Sequence, residues 1–352
     1  MKTYQKDLWI YLQEKCGKGR HVVLYGTGNG ADKIIARLEG YGIPISGVFA
    51  SPGFVRDRSF HGMKVTSFED CLHAFGTGMI VLMCFGSSRP EVLAYADEIS
   101  SQCEFYAPDV PVYGDNLFDL GFFSTNLEKL SSVRRVLADE LSARTFDDII
   151  AARLTGDITH LKHCEVSRQE EDSLLLSSHR KGFFLDLGAY DGDTVLRYSA
   201  LLPDISGIIA VEPDRRNMRK LRENTSALNI EYIQAFVSSE EGEAEVISNI
   251  GRGTSLTKEG DNKVSTVTID GILKGRPAAF IKFDVEGAEL DAITGGAATI
   301  RDHRPAMNIA CYHRSEDLFA LPLKVLVLNP DYKVYMRHTP SIPAWDTCFY
   351  FV

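Results

Sequence analysis

Apolar runs closed by glycine turns alternate with amphipathic stretches in two regions of this chain, and between those regions only helical spacing is visible. "HVVLYGTGNGADKIIARLEGYGI", His21 to Ile43, reads as a buried strand, a glycine turn and a helix. "PISGVFAS" and "GMIVLMCFG" supply further strands, and "PEVLAYADEIS" the helix after the second of them. This alternation predicts a small doubly wound α/β domain over residues 1–115, half of a nucleotide-binding fold.

Over 116–175 the strand signals give way to a helical connector, with Leu130, Val133, Leu137 and Leu141 spaced as one apolar stripe. Thr145 and Asp148 resemble a capping box. Phe146, Ile149, Ile150 and Leu154 would then form a buried face that stops at Gly156. Arg134, Arg135, Asp139 and Glu140 read as a solvated face. From 176 to 352 the alternation returns with "FFLDLG", "SGIIAVEP", "IEYIQAFV", "AFIKFDVEG" and "AMNIACYH", followed by "YKVYMRH" and "TCFYFV". The last two, so close together, predict a terminal antiparallel hairpin on a parallel sheet. The fold class expected is α/β, with two doubly wound sheets joined by the connector.

A chain of 352 residues has room for two or three domains, and 44% hydrophobic with 24% charged residues favours neither disorder nor a fibre. Net charge is −10 without a basic run, which makes long nucleic acid a poor partner. No stretch of about 18 apolar residues suggests a membrane span, and the polar N-terminus lacks a signal-peptide core, so a cytoplasmic location is expected. Seven cysteines without a CxxC pair predict neither a disulfide frame nor a structural metal.

The chemistry concentrates in "FFLDLGAYDGDTV", Phe183 to Val195, where two glycines stand among Asp186, Asp191 and Asp193. Gly188 and Gly192 do not have the GxGxxG spacing, and carboxylates there would oppose a phosphate. A cationic ligand without phosphate suits the loop better. S-adenosylmethionine carries a sulfonium and an ammonium, and its ribose offers two hydroxyls to an acidic acceptor. Asp186 can face the amino-acid end, and Glu212, closing the next strand, sits where doubly wound folds place the ribose ligand. Helix capping by Asp186 and Asp193 is the competing explanation. "FIKFDVEGAEL" ends another strand in Asp284 and Glu286, before a helix whose buried stripe would be Leu290, Ile293, Ala297 and Ile300. His313 closes the strand after that. Lys282 either points to the other side of its strand or neutralises a carboxylate.

In this order and spacing, "FFLDLGAYDGDTV", "VEPD", "TIDGIL" and "FIKFDVEGAEL" resemble an FkbM-type S-adenosylmethionine-dependent methyltransferase over residues 180 to 315. The connector resembles the segment that precedes this domain in longer members. The resemblance implies a class I methyltransferase Rossmann-like fold and O-methylation of a hydroxyl, often on a sugar or a polyketide. It implies that Asp186, Gly188, Ala189, Asp191, Gly192 and Thr194 form the donor loop, that Glu212 holds the ribose, that Pro213 also binds the donor, and that Gln234 and Ala235 lie near adenine. "GRGTSL", Gly251 to Leu256, resembles a loop near the acceptor, although a plain turn explains its glycines equally well.

Methyl transfer from a sulfonium demands alignment and one base that removes the hydroxyl proton late. Glu286 and His313 are the candidates, with Asp284 shaping the crevice. His313 is favoured because an unperturbed imidazole titrates near neutral pH. The partner expected is a small-molecule or glycan acceptor, and a homo-oligomer is compatible with the sequence. In the N-terminal region Gly26, Gly28 and Gly30 form a glycine turn, but Ala50 and Ser51 stand where NAD would need an acidic ribose ligand. That region could bind a sugar nucleotide, dock a partner or be structural. The alternative to an enzyme is a non-catalytic sugar-nucleotide-binding or scaffold protein, and NAD-dependent sugar oxidoreduction is the third reading.

Overall fold

Val22–Tyr25 and Ile80–Met83 are apolar at every position and buried at every position, which is the pattern of strands covered on both faces. They are β1 and β5 of a six-stranded sheet whose other strands are β2 (Ile45–Phe49), β3 (Ser59–Phe60), β4 (Met63–Thr66) and β6 (Glu104–Tyr106). The order is β3-β4-β2-β1-β5-β6, parallel throughout except for the β3–β4 pair. The computed structural model describes residues 2–176, 180–202, 204–247, 255–257 and 262–352. No helix among them is long and apolar enough to cross a membrane.

Helices Leu120–Thr125, Leu127–Val136, Glu140–Thr155, Thr159–Cys164 and Arg168–Leu176 follow. The expected single stripe is interrupted. The chain becomes extended at Leu137, so Leu130 and Val133 belong to one helix and Leu141 to the next. The expected capping box also fails: Asp139 caps that next helix by accepting from the Ser142 amide, and Thr145 lies inside it, buried. Asp139 is no solvated charge either, because it pairs with the buried Arg337 at 2.6 Å. Gly156 ends the helix in the left-handed conformation, φ 68°.

The second large sheet comprises β7 (Phe183–Leu187), β8 (Gly207–Val211), β9 (Ile230–Ile233), β14 (Ala278–Phe283), β15 (Ala306–Ala310), β16 (Val334–His338) and β17 (Thr347–Phe351). Its order is β16-β17-β15-β14-β7-β8-β9, with β17 antiparallel to both neighbours and every other pair parallel. "IEYIQAFV" is not one strand. After β9 the chain breaks, and β10 (Phe236–Val237) joins β11 (Gly242–Ile247), β12 (Ser255–Thr257) and β13 (Asn262–Val267) in a separate sheet ordered β10-β13-β11-β12. Gly251 to Thr254 of "GRGTSL" lie outside the described residues, while Ser255 and Leu256 belong to β12.

The two regions share one apolar core. Tyr25 and Phe49 of the first sheet, Phe146 and Ile149 of the connector, and Phe283 and Phe349 of the second sheet belong to one continuous buried cluster. Ser87 and Ile342 exchange backbone hydrogen bonds of 2.8 and 3.0 Å. A Cβ on Gly86 would stand 2.3 Å from the Trp345 ring, so the loop after β5 is pressed against the loop between β16 and β17.

Candidate functional site

Register brings the sequence-predicted residues to one edge of the second sheet. Asp186 in β7 is level with Lys282 in β14 and Ala210 in β8, and Val211 is level with Ile233 in β9, so all four strands end together. The loop after β7 turns at Gly188, φ 82°, where a Cβ would lie 1.9 Å from the Asp284 carbonyl oxygen. Only glycine lets this loop lie so close to the end of β14. A Cβ on Gly192, φ 92°, would lie 2.7 Å from the Thr225 side chain and 2.9 Å from the Leu221 side chain. Ala189 is buried, with its amide on the Val211 carbonyl at 3.0 Å. Asp191 is half-buried and its carbonyl accepts from the Asn224 side-chain amide at 2.8 Å.

Capping explains neither carboxylate: Gly192 is the N-cap of helix Asp193–Leu201, no side chain caps it, and Asp193 adds only a first-turn charge. The Asp193 carboxylate accepts from the Thr194 amide at the start of helix Asp193–Leu201. Asp186 lies within the strand, fully buried, and neither of its oxygens has a hydrogen bond among the described residues. Burial raises its carboxyl to about 6, opposed by Lys282 at 3.9 Å. Glu212 is also buried; one oxygen accepts from the Tyr190 amide at 2.9 Å and the other from the Asp214 amide at 2.8 Å. Burial pushes its carboxyl up to about 7 against those two bonds. Pro213 beside it is half-buried, while past β9 Gln234 is exposed and Ala235 buried.

Beside this loop, Lys282 takes the second of its expected roles: its Nζ is 3.2 Å from Asp284 and 3.9 Å from Asp186. Burial alone would raise the Asp284 carboxyl, but Lys282 and His313 hold it low, and the Tyr312 hydroxyl donates to it at 3.2 Å. His313 is 1% exposed, so it is no surface histidine. Its Nδ1 is 2.9 Å from Glu289, and its Nε2 is 3.5 Å from both Asp284 and Glu286. Burial would lower its pKa; the carboxylates of Glu289, Asp284 and Glu286 prevail and raise it to about 10. The imidazole is therefore an imidazolium at neutral pH, and the expected near-neutral titration is displaced.

Glu286 stands at φ 55°, a left-handed position for a side-chain-bearing residue, and its side chain is 42% exposed. Partial burial raises its carboxyl, and the neighbouring Tyr113 side chain opposes that rise. Sequence reasoning missed both Tyr113 and Glu289. Tyr113 comes from the segment after the first sheet, and its amide donates to the His313 carbonyl at 3.0 Å. Glu289 is fully buried and also accepts from the Val285 amide at 3.0 Å. Its inward position displaces the expected stripe: Ile293 and Ile300 are buried, but Leu290 is 41% exposed, and the helix is broken between Gly295 and Ala297. Among the described residues no group of three or more His, Cys, Asp and Glu side chains is arranged to hold a metal ion.

In the N-terminal sheet two of the three turn glycines have a packing explanation, while a Cβ on Gly28 would meet nothing within 4 Å. A Cβ on Gly26 would strike the Phe85 ring at 2.5 Å, and one on Gly30 the Cys84 carbonyl at 2.2 Å. Ser51, at the position of a ribose ligand, is bonded to the Tyr25 hydroxyl at 2.5 Å.

Residues 186–334 match the family model described as the methyltransferase FkbM domain. Among solved structures, methyltransferase FkbM from Methylobacillus flagellatus KT superposes with a TM-score of 0.71 at 19% identity, covering 97% of this chain and 92% of that one. That likeness extends the shared fold through the N-terminal sheet and the connector. Precorrin-6y C5,15-methyltransferase from Geobacter metallireducens GS-15 gives 0.34 at 13% identity, over 53% of this chain and 88% of that one. Aeropyrum pernix fibrillarin, with natively bound S-adenosyl-L-methionine, gives 0.31 at 17%, over 52% and 74%. No curated protein matches this chain.

Proposed function

We propose that this protein is an S-adenosylmethionine-dependent O-methyltransferase acting on a hydroxyl of a sugar or carbohydrate-containing metabolite. The observation that carries this reading is the pairing of two buried carboxylates, Asp186 and Glu212, at adjacent strand ends beside a loop closed by Gly188. Asp186, without hydrogen bonds among the described residues, adds a buried negative charge beneath the site of the donor's cationic end. Glu212, oriented by two backbone amides, keeps lone pairs for the ribose hydroxyls. The family match over residues 186–334 supports methyl transfer as the reaction class.

In this reading Glu286 is the base. It is the most exposed of the carboxylates around His313, and burial has already raised its pKa toward working pH. The acceptor oxygen attacks the donor methyl as the S–CH3 bond breaks, and its proton passes to the Glu286 carboxylate. His313 acts as a fixed cation that positions Glu286 and Asp284. The Tyr312 ring, whose hydroxyl donates to Asp284, stacks with Trp345 at a centroid distance of 6.4 Å and supplies an aromatic surface suited to a sugar face. The alternative of a non-catalytic binding protein gives no use to the charged group gathered on His313.

The test is transfer of a labelled methyl group from S-adenosylmethionine to a panel of sugars, sugar nucleotides and a cell extract. Label in a carbohydrate ether supports the proposal. Label in nitrogen or carbon positions, or none with any acceptor, removes it.

A further inference from the structure

We infer that the helix Arg168–Leu176 of the connector supplies the recognition element for the donor's amino-acid end, with Arg168 taking its α-carboxylate and Asp346 its ammonium; this rests on the proposed use of S-adenosylmethionine. Beside the glycine loop opens a cleft whose lining includes Arg168, Thr194, Lys282, Asp284, Tyr312 and Asp346. It thus runs from the start of the helix after the donor loop to the ends of β14 and β15.

Not every charge around this cleft has an ion-pair partner among the described residues. Arg197, also on its wall, is held by Asp172 at 2.6 Å and Glu171 at 3.5 Å. Lys282 is held by Asp284 and Asp186. That leaves one cation, Arg168, and one anion, Asp346, neither of which has a side-chain hydrogen bond or an ion pair within 4.0 Å among the described residues. Asp346 is held at φ 52°, and burial raises its carboxyl against the opposing pull of Arg168. Behind Lys282 lies Asp186, fully buried with both oxygens unpartnered among the described residues. A guanidinium and a carboxylate that open on one cleft in this way complement a zwitterion, and an α-amino acid group is the zwitterion that the donor carries. A guanidinium can bind a carboxylate with two parallel hydrogen bonds. Arg168 lies outside the matched family region, so the family model does not assign it this role.

The experiment compares the affinity of the full chain for S-adenosylmethionine with that for its decarboxylated analogue, which lacks only the α-carboxylate. Arg168→Ala should weaken the first about 10- to 150-fold, the range of a hydrogen bond to a charged group, and leave the second unchanged. Arg168→Lys should restore part of the loss. Asp346→Asn should weaken both, since both ligands keep the ammonium. Equal affinities of wild type and Arg168→Ala for S-adenosylmethionine, or equal losses for the two ligands, overturn this inference while leaving the donor assignment intact. A wild-type chain that binds neither ligand overturns both.

Discussion

Nδ1 of His313 lies 2.9 Å from Oε1 of Glu289, and both side chains are buried beneath the candidate active-site floor. Because the folded-state pKa of His313 is raised from 6.5 to about 10, the proton is bound more tightly in the folded chain. Its stabilising contribution is complete below about pH 6.5 and is lost as pH rises through about 10. Thermal melting of the wild type should therefore fall between pH 7 and 10. His313→Gln should cost about 3–5 kcal/mol near neutral pH, because Glu289 is left as an uncompensated buried charge, and should flatten this slope. A variant that melts like wild type throughout would show that the pair is not ionised.

Asp186 has the opposite character. Its folded-state carboxyl is raised to about 6, so its ionised form opposes folding, and that penalty appears as pH rises from about 4 to 6. Asp186→Asn should melt at or above the wild-type temperature at pH 7 while losing donor affinity by at least tenfold. Simultaneous loss of stability and affinity would mean that the carboxylate holds the fold rather than a ligand.

Gly188→Ala forces a side chain into a left-handed turn and within 1.9 Å of the Asp284 carbonyl oxygen at the end of β14. The strain alone is about 1–3 kcal/mol, and the clash requires β14 or the loop to shift. Denaturant titration should show at least this loss, with donor binding reduced as well.

These residues differ in how visible they are in sequence. Asp186, Glu212 and Asp284 each end or follow an apolar run, so strand periodicity alone brings them to one edge. Glu289 reads as an ordinary acid in the first turn of a helix, where a charge normally faces water; only the packing of Ile293 shows that its face points inward. Tyr113 lies in "APDVPVYGDN", a segment whose prolines and glycine signal a loop and nothing of what it touches. The sheet of β10 to β13 was invisible because "SSEEGEAEV" is too polar to show a strand pattern. Leu137 and Leu141 misled for the converse reason: four correctly spaced leucine and valine positions do not report a helix break between them.

The Tyr113 side chain lowers the Glu286 pKa against the rise that burial causes. Tyr113→Phe should thus move the acid limb of the kcat/KM profile to higher pH, with donor affinity unchanged. An unmoved limb would mean that Glu286 is not the base.

Donor identity underlies every role assigned to these side chains, and calorimetric titration of the full chain with S-adenosylmethionine tests it directly. We predict one site of about micromolar affinity, weakened by about 1.5–3 kcal/mol in Glu212→Ala through loss of hydrogen bonds to a charged group, and no binding of NAD tighter than about 1 mM. Absence of heat with S-adenosylmethionine, or micromolar binding of NAD abolished by Gly28→Val, would contradict it.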